Sequence, residues 1–125
     1  MQTSVILSIK PVYADRIFEG SKQYEFRRRL FSNRSVRRVV VYVTAPVGKV
    51  IGEFEVEDII EMEPEALWEQ TKHHSGIAKG LFDAYFEGKK VGYALKIGNT
   101  RMYDIPLELE QDFNVRRAPQ SFVYL

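Results

Sequence analysis

The sequence predicts a mainly β α+β fold: a small antiparallel β-barrel of five to seven strands with about three short helices between them. Three observations predict it. Short β-branched or alternating runs recur along the chain, turn residues separate them, and helical spacing shows only in brief stretches. With 125 residues, 45% of them hydrophobic, the chain has the size of one domain with one core, and residues 1–125 are read as a single domain. Closing the sheet also removes the exposed edges that so many strands would leave.

The elements follow in order. Residues 5–9 are an apolar run that reads as a buried strand. Pro11 suits the first position of a helix, and Ala14, Ile17 and Phe18 make an apolar stripe at helical spacing over 11–19. Gly20 closes that helix, since glycine takes the left-handed cap without steric cost. Residues 22–28 alternate Tyr24 and Phe26 against Gln23, Glu25 and Arg27, a half-buried strand, and Asn33 with its flanking serines marks a turn. Residues 36–43 are β-branched, with Val39, Val41 and Val43 on one face. Beyond the Pro46 and Gly48 turn, residues 50–58 alternate strictly, Phe54 and Val56 on one side and Glu53, Glu55 and Glu57 on a solvated other.

Pro64 opens a second short helix through Trp68. Ser75 is expected to cap a third, whose Ile77, Leu81 and Tyr85 lie one above another, with Gly88 at its end. Residues 91–97 resume a strand, Asn99 turns the chain, 102–107 form another strand, and 120–125 complete the sheet. The expected core is Ile6, Ile17, Phe18, Val39, Val41, Phe54, Val56, Leu81, Leu95 and Ile97.

Composition excludes several classes. Disorder is excluded, because neither low hydrophobicity nor a high net charge is present, and no apolar run approaches the ~18 residues of a membrane helix. Without cysteine there is no disulfide scaffold and no thiolate metal site, which makes a cytoplasmic location the expectation. The only histidines, His73 and His74, are adjacent and point about 100° apart on a helix, so no metal site is expected. No nucleophile elbow, phosphate-binding glycine loop or dinucleotide fingerprint occurs, and no cofactor is expected.

Charge is unevenly spread. Residues 1–50 stand at +7 and residues 51–125 at −6, with Arg27, Arg28, Arg29, Arg34, Arg37 and Arg38 inside twelve positions. The basic segment suits an anionic partner. Equally, the two sections could be neighbouring strands whose outer faces pair arginine with glutamate. One further segment carries chemistry. Gly20 is followed by Lys22, Glu25 and Arg27, and in a regular pleat Glu25 and Arg27 share a face while Lys22 joins them only if the strand begins with a bulge or twist. Two ionised groups turned inward cost several kcal/mol unless they pair with each other or a ligand. A charged cluster kept in such a place is usually used.

Ser8-Ile9-Lys10-Pro11, the helix over 13–18, and Gly-x-Lys-x-x-Glu-x-Arg at 20–27 resemble the ASCH (activating signal cointegrator homology) domain of the PUA-like β-barrels. The stretches Gly52 to Val56, Gly92 to Ile97 and Pro119 to Phe122 are similar to its later strands, so the resemblance spans nearly the whole chain. It implies a cleft beside the first helix that takes RNA or a nucleotide-like ligand. Lys22, Glu25 and Arg27 would line that cleft, with Lys10 and Ser121 at its rim.

The leading expectation is an RNA- or nucleotide-binding, regulatory module, with Arg28, Arg29, Arg34, Arg37 and Arg38 supplying electrostatic approach. The alternative is a small hydrolase acting on modified nucleosides or RNA, an amidohydrolase or a ribonuclease, with Glu25 as base and Lys22 as oxyanion stabiliser. Amidohydrolase relatives carry a threonine nucleophile where this chain has Glu25, which argues against that route. For a ribonuclease, Lys22 and Tyr24 could form the acid–base pair only if both reached the cleft, and Tyr24 suits the core better. A third reading is a regulator that binds a metabolite in the barrel and another protein on its surface. No membrane partner is expected, and a homodimer stays open.

Overall fold

The computed structural model describes residues 4–125. In chain order these form β1 (Ser4–Ile9), α1 (Pro11–Glu19), β2 (Tyr24–Arg27), β3 (Arg38–Val43), β4 (Lys49–Met62) and α2 (Pro64–Thr71). A 3-10 turn (Lys72–His74), α3 (Lys79–Phe86), β5 (Gly92–Leu107), α4 (Leu109–Phe113) and β6 (Phe122–Tyr124) follow. Pro11 begins α1, and Gly20 at φ 95° ends it with its N–H shared between the Arg16 and Ile17 carbonyls.

The six strands make one sheet in the order β2-β5-β4-β3-β1-β6. All neighbours are antiparallel except β1 and β3, which run parallel with Val5 opposite Val39. The expected antiparallel barrel is thus a mixed half-barrel. The chain leaves β1 through α1 and β2 before returning as β3, a crossover long enough to restore the original direction. Strands β2 and β6 end the order, unpaired with each other.

β4 and β5 form a long hairpin whose register shifts between Val50 and Gly52, Phe54 and Val56, and Val56 and Asp58. Such bulges bend and twist the strands, which is how two ribbons of this length curl around a small core. Asn99, expected as a turn, lies inside β5, so the two strands expected at 91–97 and 102–107 are one. Curvature here comes from bulges, which leave no turn residue to read.

The third helix differs from expectation in start and in face. Ser75 does not cap it; α3 begins after Ala78 and buries Phe82 and Phe86. Leu81 is 58% exposed and Tyr85 37%. The two apolar stripes are one residue apart, a rotation of about 100°. Phe82 and Phe86 win because their rings meet Phe26 edge-on at 5.1 and 6.2 Å. Gly92 lets β5 approach them, since a Cβ there would sit 2.7 Å from the Phe86 ring.

The main core holds Ile17, Val39, Val41, Phe54, Val56, Leu95 and Ile97 as expected, with Phe18 half-buried against it. Ile6 is buried on the other face with Val40 and Val50. That face is covered by Leu109, Phe113 and Val115 from α4 and the residues after it, a helix with no counterpart in the sequence-based expectation, and by Val123. No described helix is long and apolar enough to cross a membrane.

Candidate ligand cavity at the half-barrel seam

A cavity of about 790 Å³ opens where α1, β2 and α3 face the end of β1 and the approach to β6, and Lys10, Lys22, Glu25, Arg27 and Ser121 all line it. The five residues expected to form a cleft therefore do converge. Lys22 arrives there without a bulge. It precedes β2, so strand parity does not govern it, and two backbone bonds aim it: Lys22 N–H to the Arg16 carbonyl at 3.0 Å and Gln23 N–H to the His74 carbonyl at 2.8 Å.

Lys22 is 2% exposed. Its Nζ donates to the Ser75 carbonyl at 2.8 Å and sits 5.3 Å from the centre of the Tyr13 ring and 4.7 Å from that of Phe26. Aromatic faces attract a cation and replace part of the lost water. Gly76 backs the lysine so closely that a Cβ would fall 2.3 Å from Lys22 Cβ, and its φ of +65° also favours glycine. Burial pushes the Lys22 amine down to about 8, opposed by the Glu25 carboxylate and reinforced by the Arg16 guanidinium.

Arg27 Nη1 donates to Glu25 Oε2 at 2.9 Å, a pair only 11% and 7% exposed. The same guanidinium crosses the open seam: Nη1 reaches the Ser8 carbonyl at 3.4 Å, and Nη2 the Ser121 carbonyl at 2.9 Å and Ser121 Oγ at 3.4 Å. Arg27, expected to line the cleft, does so while tying β2 to β1 and to the residue before β6. Glu25 is left half engaged. Its Oε1 takes no hydrogen bond from any described residue, yet no fully buried side-chain polar atom among them lacks a partner. Oε1 therefore keeps contact with the open cavity.

The walls were missed at the sequence level. Tyr13, Phe26, Ile77, Leu81 and Tyr85 line the cavity, and Arg28, Arg29 and Lys89 complete its cationic margin with Lys10. Tyr85 Oη donates to the Phe26 carbonyl at 3.3 Å and accepts from the Arg28 N–H at 3.2 Å, and burial raises its pKa. Their helical spacing made Leu81 and Tyr85 look like core. The available signal was that α3 carries two apolar stripes, one more than its core contact needs.

Other expected residues lie elsewhere. Arg38 grips Glu53 at 3.0 Å through two nitrogens, Arg34 stands 3.6 Å from Glu61, and Arg37 donates to the Arg34 and Val36 carbonyls. None of the three lines the cavity, and the pairing of β3 arginine with β4 glutamate is the alternative the charge pattern left open. Tyr24 packs against the Phe26 cluster, away from the cavity.

A family profile for the ASCH domain matches residues 7–101. The large ribosomal subunit protein uL22 of Ureaplasma parvum is 31% identical over 122 residues, 98% of this chain, and the chain spans 39% of that protein's length. An ASCH domain-containing ribonuclease of Zymomonas mobilis is 29% identical over 96% of this chain and 82% of its own length. Among solved structures, a serine-to-alanine variant of the Zymomonas mobilis ASCH protein superposes with a TM-score of 0.89 at 26% identity, covering 99% of this chain and 89% of that one. The unsubstituted protein gives 0.86 at 29% identity, over 98% and 87%. With the profile covering most of its length and the half-barrel reproduced throughout, the chain belongs to the ASCH domain family.

Proposed function

We propose that the cavity binds one nucleotide of an RNA, with Lys22 and Glu25 meeting the edge of its base and the cationic margin holding phosphate. The observation that carries this reading is the unpartnered Glu25 Oε1, an acceptor left open in a cavity lined by Lys22, further cations and aromatic rings. Base edges present donors to such an acceptor, and their faces stack on aromatic side chains. Lys10, Arg28, Arg29 and Lys89 supply charge for the backbone. The Zymomonas mobilis relative named a ribonuclease supports RNA as the ligand class. Such a ligand suits a cytoplasmic protein.

One observation favours a hydrolytic second reading. Burial lowers the Lys22 amine to about 8 against the pull of the Glu25 carboxylate, and a lysine shifted downward suits acid–base work better than a free one. Binding stands first because it needs only the geometry present.

The test is fluorescence anisotropy of a labelled single-stranded RNA across a salt series, with the parent protein and Lys22→Ala. Expected is a steep loss of affinity with salt and at least tenfold weaker binding by Lys22→Ala, with a cooperative melt retained. Equal binding by the variant removes the cavity as the site. A flat salt dependence replaces RNA by an uncharged nucleoside.

A further inference from the structure

Outside the cavity lining, the sheet keeps one long edge open. β2 pairs with β5 only over residues 93–96, and one further bond joins the Ile97 N–H to the Gln23 carbonyl. Over residues 98–107, β5 has β4 on one side and, among the described residues, no backbone partner on the other. The remaining edges are short, four residues in β2 and three in β6. Ile105 is 74% exposed and Met102 57%, so two large apolar side chains stand in solvent on this one edge. Arg101 turns its carbonyl toward β4, where it comes within 2.5 Å of the Cβ that a side chain at Gly52 would carry. Alternation then aims the N–H and C=O groups of Thr100 and Met102 at the open side. Native sheets cover or blunt an apolar edge of this length.

The edge is complementary to itself. Two copies pair antiparallel about a two-fold axis normal to the sheet, and because facing residues must share a face, one residue meets its own copy at the axis. With Arg101 there, two guanidiniums meet. With Tyr103 there, Met102 faces Asp104 and Arg101 faces Ile105; with Thr100 there, Met102 faces Gly98 and Ile105 stays uncovered. With Met102 at the axis, Arg101 faces Tyr103 of the second copy and Thr100 faces its Asp104. Arg101 already lies 5.6 Å from the centre of the Tyr103 ring in its own chain, which puts the two on one face and shows the contact to be compatible with the pleat. Cation–ring and hydroxyl–carboxylate pairs of this kind stabilise facing strands. We infer that the chain dimerises through the open edge of β5, antiparallel, with Met102 on the two-fold axis. The cavity stays free in that dimer, since no residue from 98 to 107 lines it.

The experiment begins with sedimentation velocity of the parent from about 10 µM to about 1 mM, the range suited to a small interface. The mass should rise from one chain toward two. Met102→Lys sets two cations at the axis and should stay at one chain mass throughout, with a cooperative melt retained because the position is exposed. The chain has no cysteine, so single cysteine substitutions report the register. Under diamide, Met102→Cys should cross-link into a dimer, because Cα atoms of facing residues lie about 5.5 Å apart. Thr100→Cys should not, since its copy is displaced by roughly 13 Å along the strand. A parent that stays monomeric at every concentration overturns the inference. So does a dimer that Met102→Lys leaves intact, one in which Met102→Cys fails to cross-link, or one in which Thr100→Cys cross-links as readily.

Discussion

The Glu25–Arg27 pair on β2 and the Glu53–Arg38 pair between β4 and β3 use the same two side chains to different ends. Arg38 holds both oxygens of Glu53 at 3.0 Å, and Tyr103 Oη donates to Oε1 at 2.7 Å. The Arg38 guanidinium holds Glu53 below the usual carboxylate range, and burial with the Glu53 hydrogen bond pushes Tyr103 up to about 12. That cluster is satisfied within itself on a face where Arg38 is 42% and Glu53 20% exposed. At the seam, Arg27 takes one oxygen of Glu25 and gives its remaining reach to strand carbonyls, so the other oxygen faces the cavity. A pair that closes on itself ties strands together; a pair that stays half open in a buried place can meet a ligand.

The largest test of this contrast is truncation of each arginine. Arg27→Ala strands a buried carboxylate and cuts the link across the seam, and should cost about 3–5 kcal/mol in denaturant unfolding. Arg38→Ala breaks a part-exposed pair and should cost roughly 0.2–1 kcal/mol. Equal losses would erase the distinction.

Next comes pH. The unfolded chain keeps the Lys22 proton up to its ordinary 10.5, while the folded protein releases it near 8. Between those values the unfolded state binds more protons, so stability rises with pH. The parent should therefore gain about 3 kcal/mol relative to Lys22→Met between pH 8 and 10.5. Tyr103 acts with the opposite sign: its folded pKa lies above its unfolded value of 10, so its contribution is present below pH 10 and is lost as pH climbs toward 12. Melts of the parent, Lys22→Met and Tyr103→Phe over pH 7–12 separate the two.

A smaller effect is expected on binding. Glu25→Gln keeps an acceptor for Arg27 but removes the charge at the cavity, and should weaken RNA binding about tenfold, roughly 1.4 kcal/mol. Glu53→Gln should leave the isotherm unchanged. The smallest effect concerns approach charge. Arg38 is closed onto Glu53 and lies outside the cavity lining, so Arg38→Gln should not move the salt slope of RNA binding. A slope reduced by about 0.7 would assign Arg38 a phosphate partner.

Most strands and two helices were legible because their signals are local. Pro11 and Gly20 delimit α1, and alternation from Glu53 to Glu57 places Phe54 and Val56 inside. Three features were not legible. The bend of β5 at Asn99 arises from bulges against β4, a property of two strands together. The face of α3 depends on Phe26 waiting across the gap for Phe82 and Phe86. α4 is only five residues long, too short for a periodic pattern, and exists because Ile6, Val40 and Val50 need cover.

The site divides the same way. Sequence alone singled out Lys22, Glu25 and Arg27, since they follow a glycine cap at fixed spacing and their ionisable groups stand out from apolar neighbours. Only the tertiary structure decided what each of them touches. Lys22 turns inward through bonds to residues 74 and 75, more than fifty positions away, and Arg27 meets carbonyls at Ser8 and Ser121. Which groups are neutralised, which stay open and how far a buried amine shifts depend on distances and lost solvent, and those exist only once the chain has brought distant segments together.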